Sequence, residues 1–156
     1  KIMKQFALFL FIGLLNHTAL AQSAALVQDK ESLLTGEEHN RIDSLLQAYR
    51  NRTGNLIAVY TDTADISAEG FTHSVQLQYG QPATDKHYNF ILLMSRKNAF
   101  VFASVNQQTV PFVNDGSLTG ILESGFASLR EKRRAEGITQ ICIKAIKFLD
   151  QLPKNK

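Results

Sequence analysis

The side chains able to do chemistry fall into two groups along the chain. Asn89 heads the apolar run Phe90–Met94, and Asp115 lies four residues after Pro111, just ahead of a run with helical spacing. Oxygen-bearing side chains of this kind suit a hard cation such as calcium, provided several converge on one point. Each also has an ordinary use. An Asp before a helix serves as its cap, and an Asn at the start of a strand can be a plain edge amide. The second group is Asp62 and Asp65, which follow the run Leu56–Thr61, with Arg96 just past Phe90–Met94. Ligands of open α/β sheets favour the carboxyl ends of parallel strands, where Asp62 and Asp65 would sit. Asp in a strand-to-helix loop equally serves the turn itself.

His39, His73 and His87 stand at no metal-ligand spacing with one another or with the single cysteine, Cys142. His39 falls on the outer, solvated face of a helical pattern. His87 adjoins a strand and is the histidine placed to act as an acid or base. Cys142 lies among Ile141, Ile143 and Ile146, the setting of a buried, inert thiol. No Gly-x-Ser-x-Gly elbow, P-loop or dinucleotide glycine pattern is present. The charge run Arg130–Arg134 reads as a solvated junction between helices, with partner docking as the sharper alternative.

The elements that must position these residues are legible in the hydrophobic pattern. Phe90–Met94 and Ala99–Val105 are near-continuous apolar runs separated by Ser95-Arg96-Lys97-Asn98. They predict a hairpin of two strands buried on both faces, at the centre of a sheet, with Phe90, Leu92 and Val101 among the most buried positions. Thr35-Gly36-Glu37-Glu38 is a capping box that opens a helix with Ile42, Leu45, Leu46 and Tyr49 on one stripe; Gly54 closes it. Leu56–Thr61 is a strand by length and β-branched content. Phe71, Val75 and Tyr79 predict a weak second helix, stopped by Gly80-Gln81-Pro82. Two further helices follow, one capped by Asp115 with Leu118, Ile121, Leu122, Phe126 and Leu129 on its stripe, the other carrying Ile138 to Leu152. Gln22–Lys30 reads as a polar lead-in with one apolar pair, Leu26-Val27. Helices alternating with buried strands, plus a hairpin, give a mixed sheet with helices on both faces.

At 156 residues, 44% of them hydrophobic, the chain suits a single domain. Lys1 and Lys4, the apolar run Phe6–Leu15 and Ala19-Leu20-Ala21 make residues 1–21 a signal peptide cleaved before Gln22, with an uncleaved anchor as the alternative. The remaining 22–156 hold fifteen basic against fourteen acidic side chains, a net charge of +1. The sequence pI of about 9.1 therefore owes part of its value to the leader and implies no nucleic-acid partner. No transmembrane segment is expected in the mature chain, and a lone cysteine leaves its stability to the core.

The order of these signals resembles the TPM-domain family, the domain of thylakoid-lumen photosystem II repair proteins. Leu26-Val27-Gln28-Asp29, followed by Leu33-Leu34-Thr35, is similar to the family's opening. Thr53-Gly54 with Leu56–Val59 is similar to its entry to the first strand. Asn89–Leu93 with Arg96 is similar to its hairpin, and Asp115 to its acidic residue before a helix. The likeness runs from residue 26 to 152. It implies a three-layer α/β/α sandwich with a central mixed sheet in an exported protein. It also adds Asp29 as a third ligand beside Asn89 and Asp115 for a divalent cation such as calcium. Tyr79-Gly80 stands in for a Trp-Gly or similar pair of the family, and two departures weaken that site: Asn89 alone matches a pair of Asp or Asn residues, and Asn106-Gln107-Gln108 replaces a Gly-rich loop. The function expected is a periplasmic or secreted binding or accessory module acting through protein contacts, with a membrane-associated complex as the candidate partner. The alternative that the resemblance implies is a weak divalent-metal-dependent acid phosphatase.

Overall fold

The computed structural model describes residues 25–62, 86–96, 100–114 and 116–154. The expected leader, the helix expected over Phe71–Tyr79, Asp65, His73, Lys97-Asn98 and Asp115 lie outside the described residues.

The first strand, β1 (Val27–Asp29), leads into helix α1 (Gly36–Thr53) and strand β2 (Leu56–Thr61). Strands β3 (Asn89–Ser95) and β4 (Phe100–Ser104) form the hairpin. A short 3-10 turn over Val110–Phe112 is followed by α2 (Ser117–Arg130) and α3 (Arg134–Asp150). The sheet is mixed, in the order β1-β2-β3-β4. β1, β2 and β3 run parallel, with Asp29 opposite Thr61 and Leu56 opposite Asn89; β4 is antiparallel to β3, with Leu92 opposite Ala103. α1 packs on β1 and β2, α3 on β2 and on α1, and α2 on α3 and β4.

Every residue of β2 and β3 is buried. Side chains alternate between faces along a strand, so both faces of this pair are shut off from water, as an α/β/α arrangement requires. Phe90, Ile91, Leu92 and Leu93 are fully buried.

Two expectations need correction here. The hairpin is not the centre of the sheet: β2 and β3 are, and β4 lies outermost. Val101 is only partly buried and Phe102 keeps 44% of its surface exposed, because β4 has a neighbour on one side only among the described strands. The lead-in is also not merely polar. Residues 27–29 pair with β2, and a strand of three residues is too short to display an alternating pattern.

α1 starts and ends as its residues dictate. The Thr35 hydroxyl accepts from the Glu38 N–H while the Glu38 carboxylate accepts from the Thr35 N–H at 2.8 Å. Gly54 closes the helix at φ 77°, and a Cβ there would collide with the His87 ring. The helix α2 begins after Gly116, with no side-chain cap. Where α2 meets α3, Gly125 and Gly137 face each other: a Cβ on Gly137 would come within 2.7 Å of Leu129 Cγ. Two glycines thus let the helices touch backbone to backbone. The corner between them turns through Lys132 at φ 64°, the left-handed position that closes many helices.

Candidate functional site

The carboxyl ends of the three parallel strands gather a dense polar cluster. Asp29 ends β1. One of its oxygens accepts from the Thr61 hydroxyl at 2.7 Å, the other from the Leu34 N–H at 2.8 Å. Glu31, only 7% exposed, accepts from the Arg96 N–H with both oxygens (2.9 and 3.1 Å) and from the Ser95 hydroxyl at 3.3 Å. Its carboxylate therefore ties the loop after β1 to the end of β3, across the end of β2. Asp62 accepts from Lys30 Nζ at 3.0 Å and from the Tyr60 hydroxyl at 3.3 Å. The Lys30 ammonium also lies 4.9 Å above the Tyr60 ring; its pKa is held above the ordinary lysine value, first by the Tyr60 hydroxyl and then by Asp62. Each carboxylate at this end already has structural donors.

Beside the cluster an open groove of about 590 Å³ runs between the β3–β4 ribbon and the α2–α3 corner. Met94, Phe100, Val101, Phe126 and Leu129 give it an apolar floor. Arg96, Arg130 and Arg134 stand around it. Among the described residues no carboxylate lies within ion-pair distance of these three guanidinium groups, whereas Arg133 between them is held by both Glu131 and Glu136.

The opposite end of the sheet is built on amides. The Asn89 Oδ1 accepts from the Asn106 N–H at 2.6 Å, and the Asn89 N–H donates to the Thr109 hydroxyl at 3.1 Å. Thr109 in turn donates its hydroxyl to Asn106 Oδ1 at 2.7 Å. Asn89 Nδ2 is buried with no hydrogen-bond partner. The Tyr88 N–H donates to Asn55 Oδ1 at 3.1 Å, and its hydroxyl donates to the Pro153 carbonyl at 2.8 Å. His87 is exposed at the rim of a cleft of about 720 Å³ that also takes in Arg52, Asn55 and Asp150. Arg52 and Asp150 pair across it at 3.2 Å.

The candidate ligands therefore separate. Asn89 does stand where the loop after Val105 leaves the sheet. Asp29, however, sits at the far end of β2, roughly 16 Å away at about 3.3 Å per residue. Calcium ligands lie within about 2.6 Å of the ion, so Asp29 and Asn89 cannot share one. Asp62 and Arg96 are at the carboxyl end as expected, with Arg96 bound to Glu31 through its backbone. Among the described residues no group of three or more His, Cys, Asp or Glu side chains could hold a metal ion. His39 is not on a solvated face: it is partly buried, with Nε2 3.0 Å from the Val27 carbonyl. Cys142 is fully buried among apolar side chains, and that burial pushes its thiol pKa up to about 12.

Glu31, Asn106 and Thr109 were not legible as site residues. Glu31 belongs to the loop after β1, a strand of three residues that is too short to show a period. The Asn106-x-x-Thr109 spacing is the one signal available, since an Asn side chain accepting from the N–H three residues on marks a local turn.

Residues 27–147 match the protein family described as the TPM domain. Three solution structures are similar in fold. The BA42 protein of the psychrophilic bacterium Bizionia argentinensis superposes with a TM-score of 0.68 at 16% identity, covering 81% of this chain and 89% of that one. The N-terminal domain of a protein from P. gingivalis gives 0.66 at 21% identity, covering 84% and 85%. The N-terminal domain of a protein from Corynebacterium glutamicum gives 0.61 at 11%, covering 85% and 86%. No curated protein matches in sequence.

Proposed function

The chain belongs to the TPM-domain family, and from that premise we propose that it is an exported binding module acting through protein contacts. The observation that supports this is the groove at the carboxyl ends of the parallel strands. Its apolar floor is left partly open to water, in the place where open α/β sheets receive their ligands. Phe102, Val110, Phe112 and Ile143 add exposed apolar surface elsewhere. The basic start, apolar core and Ala-x-Ala ending of residues 1–21 support export to the periplasm or the medium. No helix among the described residues is long and apolar enough to cross a membrane.

The alternative, a divalent-metal-dependent acid phosphatase, needs carboxylates free to converge on a cation and a nucleophile. Asp29, Glu31 and Asp62 instead hold β-strand ends together, which favours the binding reading. With p-nitrophenyl phosphate and divalent cations, from acid to neutral pH, turnover is expected to stay at the level of a heat-killed control. Turnover removed by Asp62→Asn or His87→Ala would reverse the order of the two readings.

The direct test places a photo-crosslinking residue at Val101 in the groove and, separately, at Lys144 on the exposed side of α3, in cells of the source organism. Protein adducts formed at either position are the expected result. Absence of protein adducts from both positions, and from a third at Phe112, would overturn the reading.

A further inference from the structure

Electrostatics narrows what the groove accepts. An apolar floor alone would suit many ligands. The rim does not. Arg96 follows β3, Arg130 ends α2 and Arg134 begins α3, so three separate elements bring their guanidinium groups to one opening. The charge run at the corner is partly self-neutralised, since Glu131 and Glu136 both go to Arg133. No acidic side chain of the described residues neutralises the other three. Arginine presents a planar fork matched to carboxylates, and loses little on leaving water compared with lysine. Three such forks around an apolar trough form the negative image of a segment with apolar side chains on one face and carboxylates along its edges.

We propose that this groove docks an acidic amphipathic segment of a partner protein, with apolar side chains over Phe100, Val101 and Phe126 and carboxylates on Arg96, Arg130 and Arg134. The inference rests on the protein-binding reading and adds the chemistry of the partner. A flat anionic bilayer fits less well, because the floor lies in a concave trough between ribbon and helices. A fatty acid would supply one carboxylate for three cations.

The probe is a fluorescein-labelled peptide of repeated Glu-Leu-Leu-Glu units, titrated into the purified protein by anisotropy. Its Lys-Leu-Leu-Lys counterpart and an apolar-free Glu-Gly-Ser peptide serve as controls. The acidic amphipathic peptide is expected to bind, to weaken as salt rises, and to lose about tenfold or more in affinity to the Arg96→Glu, Arg130→Glu, Arg134→Glu triple variant. That variant is expected to gain binding to the lysine peptide. Single Arg→Gln variants, checked by thermal melting, are expected to show graded losses and so separate charge from misfolding. Unchanged affinity in the triple variant would overturn the inference, as would binding of either control peptide to the wild-type protein as tightly as the acidic amphipathic one. Sedimentation with vesicles of phosphatidylglycerol and phosphatidylcholine, abolished by the triple variant while the peptide fails to bind, would overturn it in favour of a membrane. Protein adducts at Lys144 or Phe112 but none at Val101 would sink this inference and leave the protein-binding reading standing.

Discussion

Single side chains at the strand ends do more to hold this molecule together than their types announce. Glu31 is the clearest case. A nearly buried carboxylate accepting from a backbone N–H and a hydroxyl leaves both donors stranded when it is removed. Glu31→Ala is expected to cost about 1.5–3 kcal/mol in urea unfolding, the range for hydrogen bonds to a charged group. A cost near zero would mean that water replaces the carboxylate freely. Cys142 shows the opposite, a reactive type made inert by position. With its pKa raised by burial from the ordinary 9.0 to about 12, the neutral thiol is favoured in the fold. The stability this represents is complete below about pH 9 and is lost as pH climbs towards 12. At pH 8 the thiol is expected to resist iodoacetamide in the native protein and to react at once in denaturant. The sequence placed Cys142 correctly because its neighbours at helical spacing are apolar. It could not place Glu31, whose partners lie more than sixty residues away in the chain.

At the scale of elements, local rules and packing divide the work. The capping box of α1 obeys local rules. Thr35→Ala is expected to cost about 1 kcal/mol, measured by chemical denaturation. Backbone and side-chain hydrogen bonds from Thr35 hold the Glu38 pKa below its ordinary value. Its contribution is thus present above the usual glutamate range and fades as pH falls, so the gap between wild type and variant should narrow in acid. The hairpin obeys packing. Leu92→Ala in β3 is expected to cost about 2–5 kcal/mol, and Val101→Ala in the outer β4 about 1 kcal/mol or less. Both runs are equally apolar in sequence, and their difference comes from having neighbours on two sides or one. The α2–α3 corner is set by both. Lys132→Gly relieves a left-handed lysine and is expected to raise stability by about 0.5–1 kcal/mol. Gly125→Ala forces the helices apart at the corner that carries Arg130 and Arg134. It should lower both the melting temperature and the affinity for an acidic peptide.

Across the whole molecule, the parallel run of β1, β2 and β3 decides which residues can meet. It sends Asp29, Asp62 and Arg96 to one end of the sheet, and Asn89 and His87 to the other. Millimolar calcium is therefore expected to leave the melting temperature unchanged. A rise lost in Asp29→Asn but kept in Asn89→Ala would put a cation at the carboxyl end alone. The sequence by itself determined α1 with its capped ends, the strands β2, β3 and β4, the helices α2 and α3, and the buried cysteine. These follow from hydrophobic period, turn residues and caps within a few positions of one another, while the parallel step from β2 to β3 follows from the order of elements and the family from the order of short motifs. Only the tertiary structure decided that β1 exists, that β4 is outermost, and that arginines from three elements ring one trough. Pairing partners far apart in the chain leave no periodic trace, so the register of the sheet, and with it the make-up of each end, had to be seen in the fold.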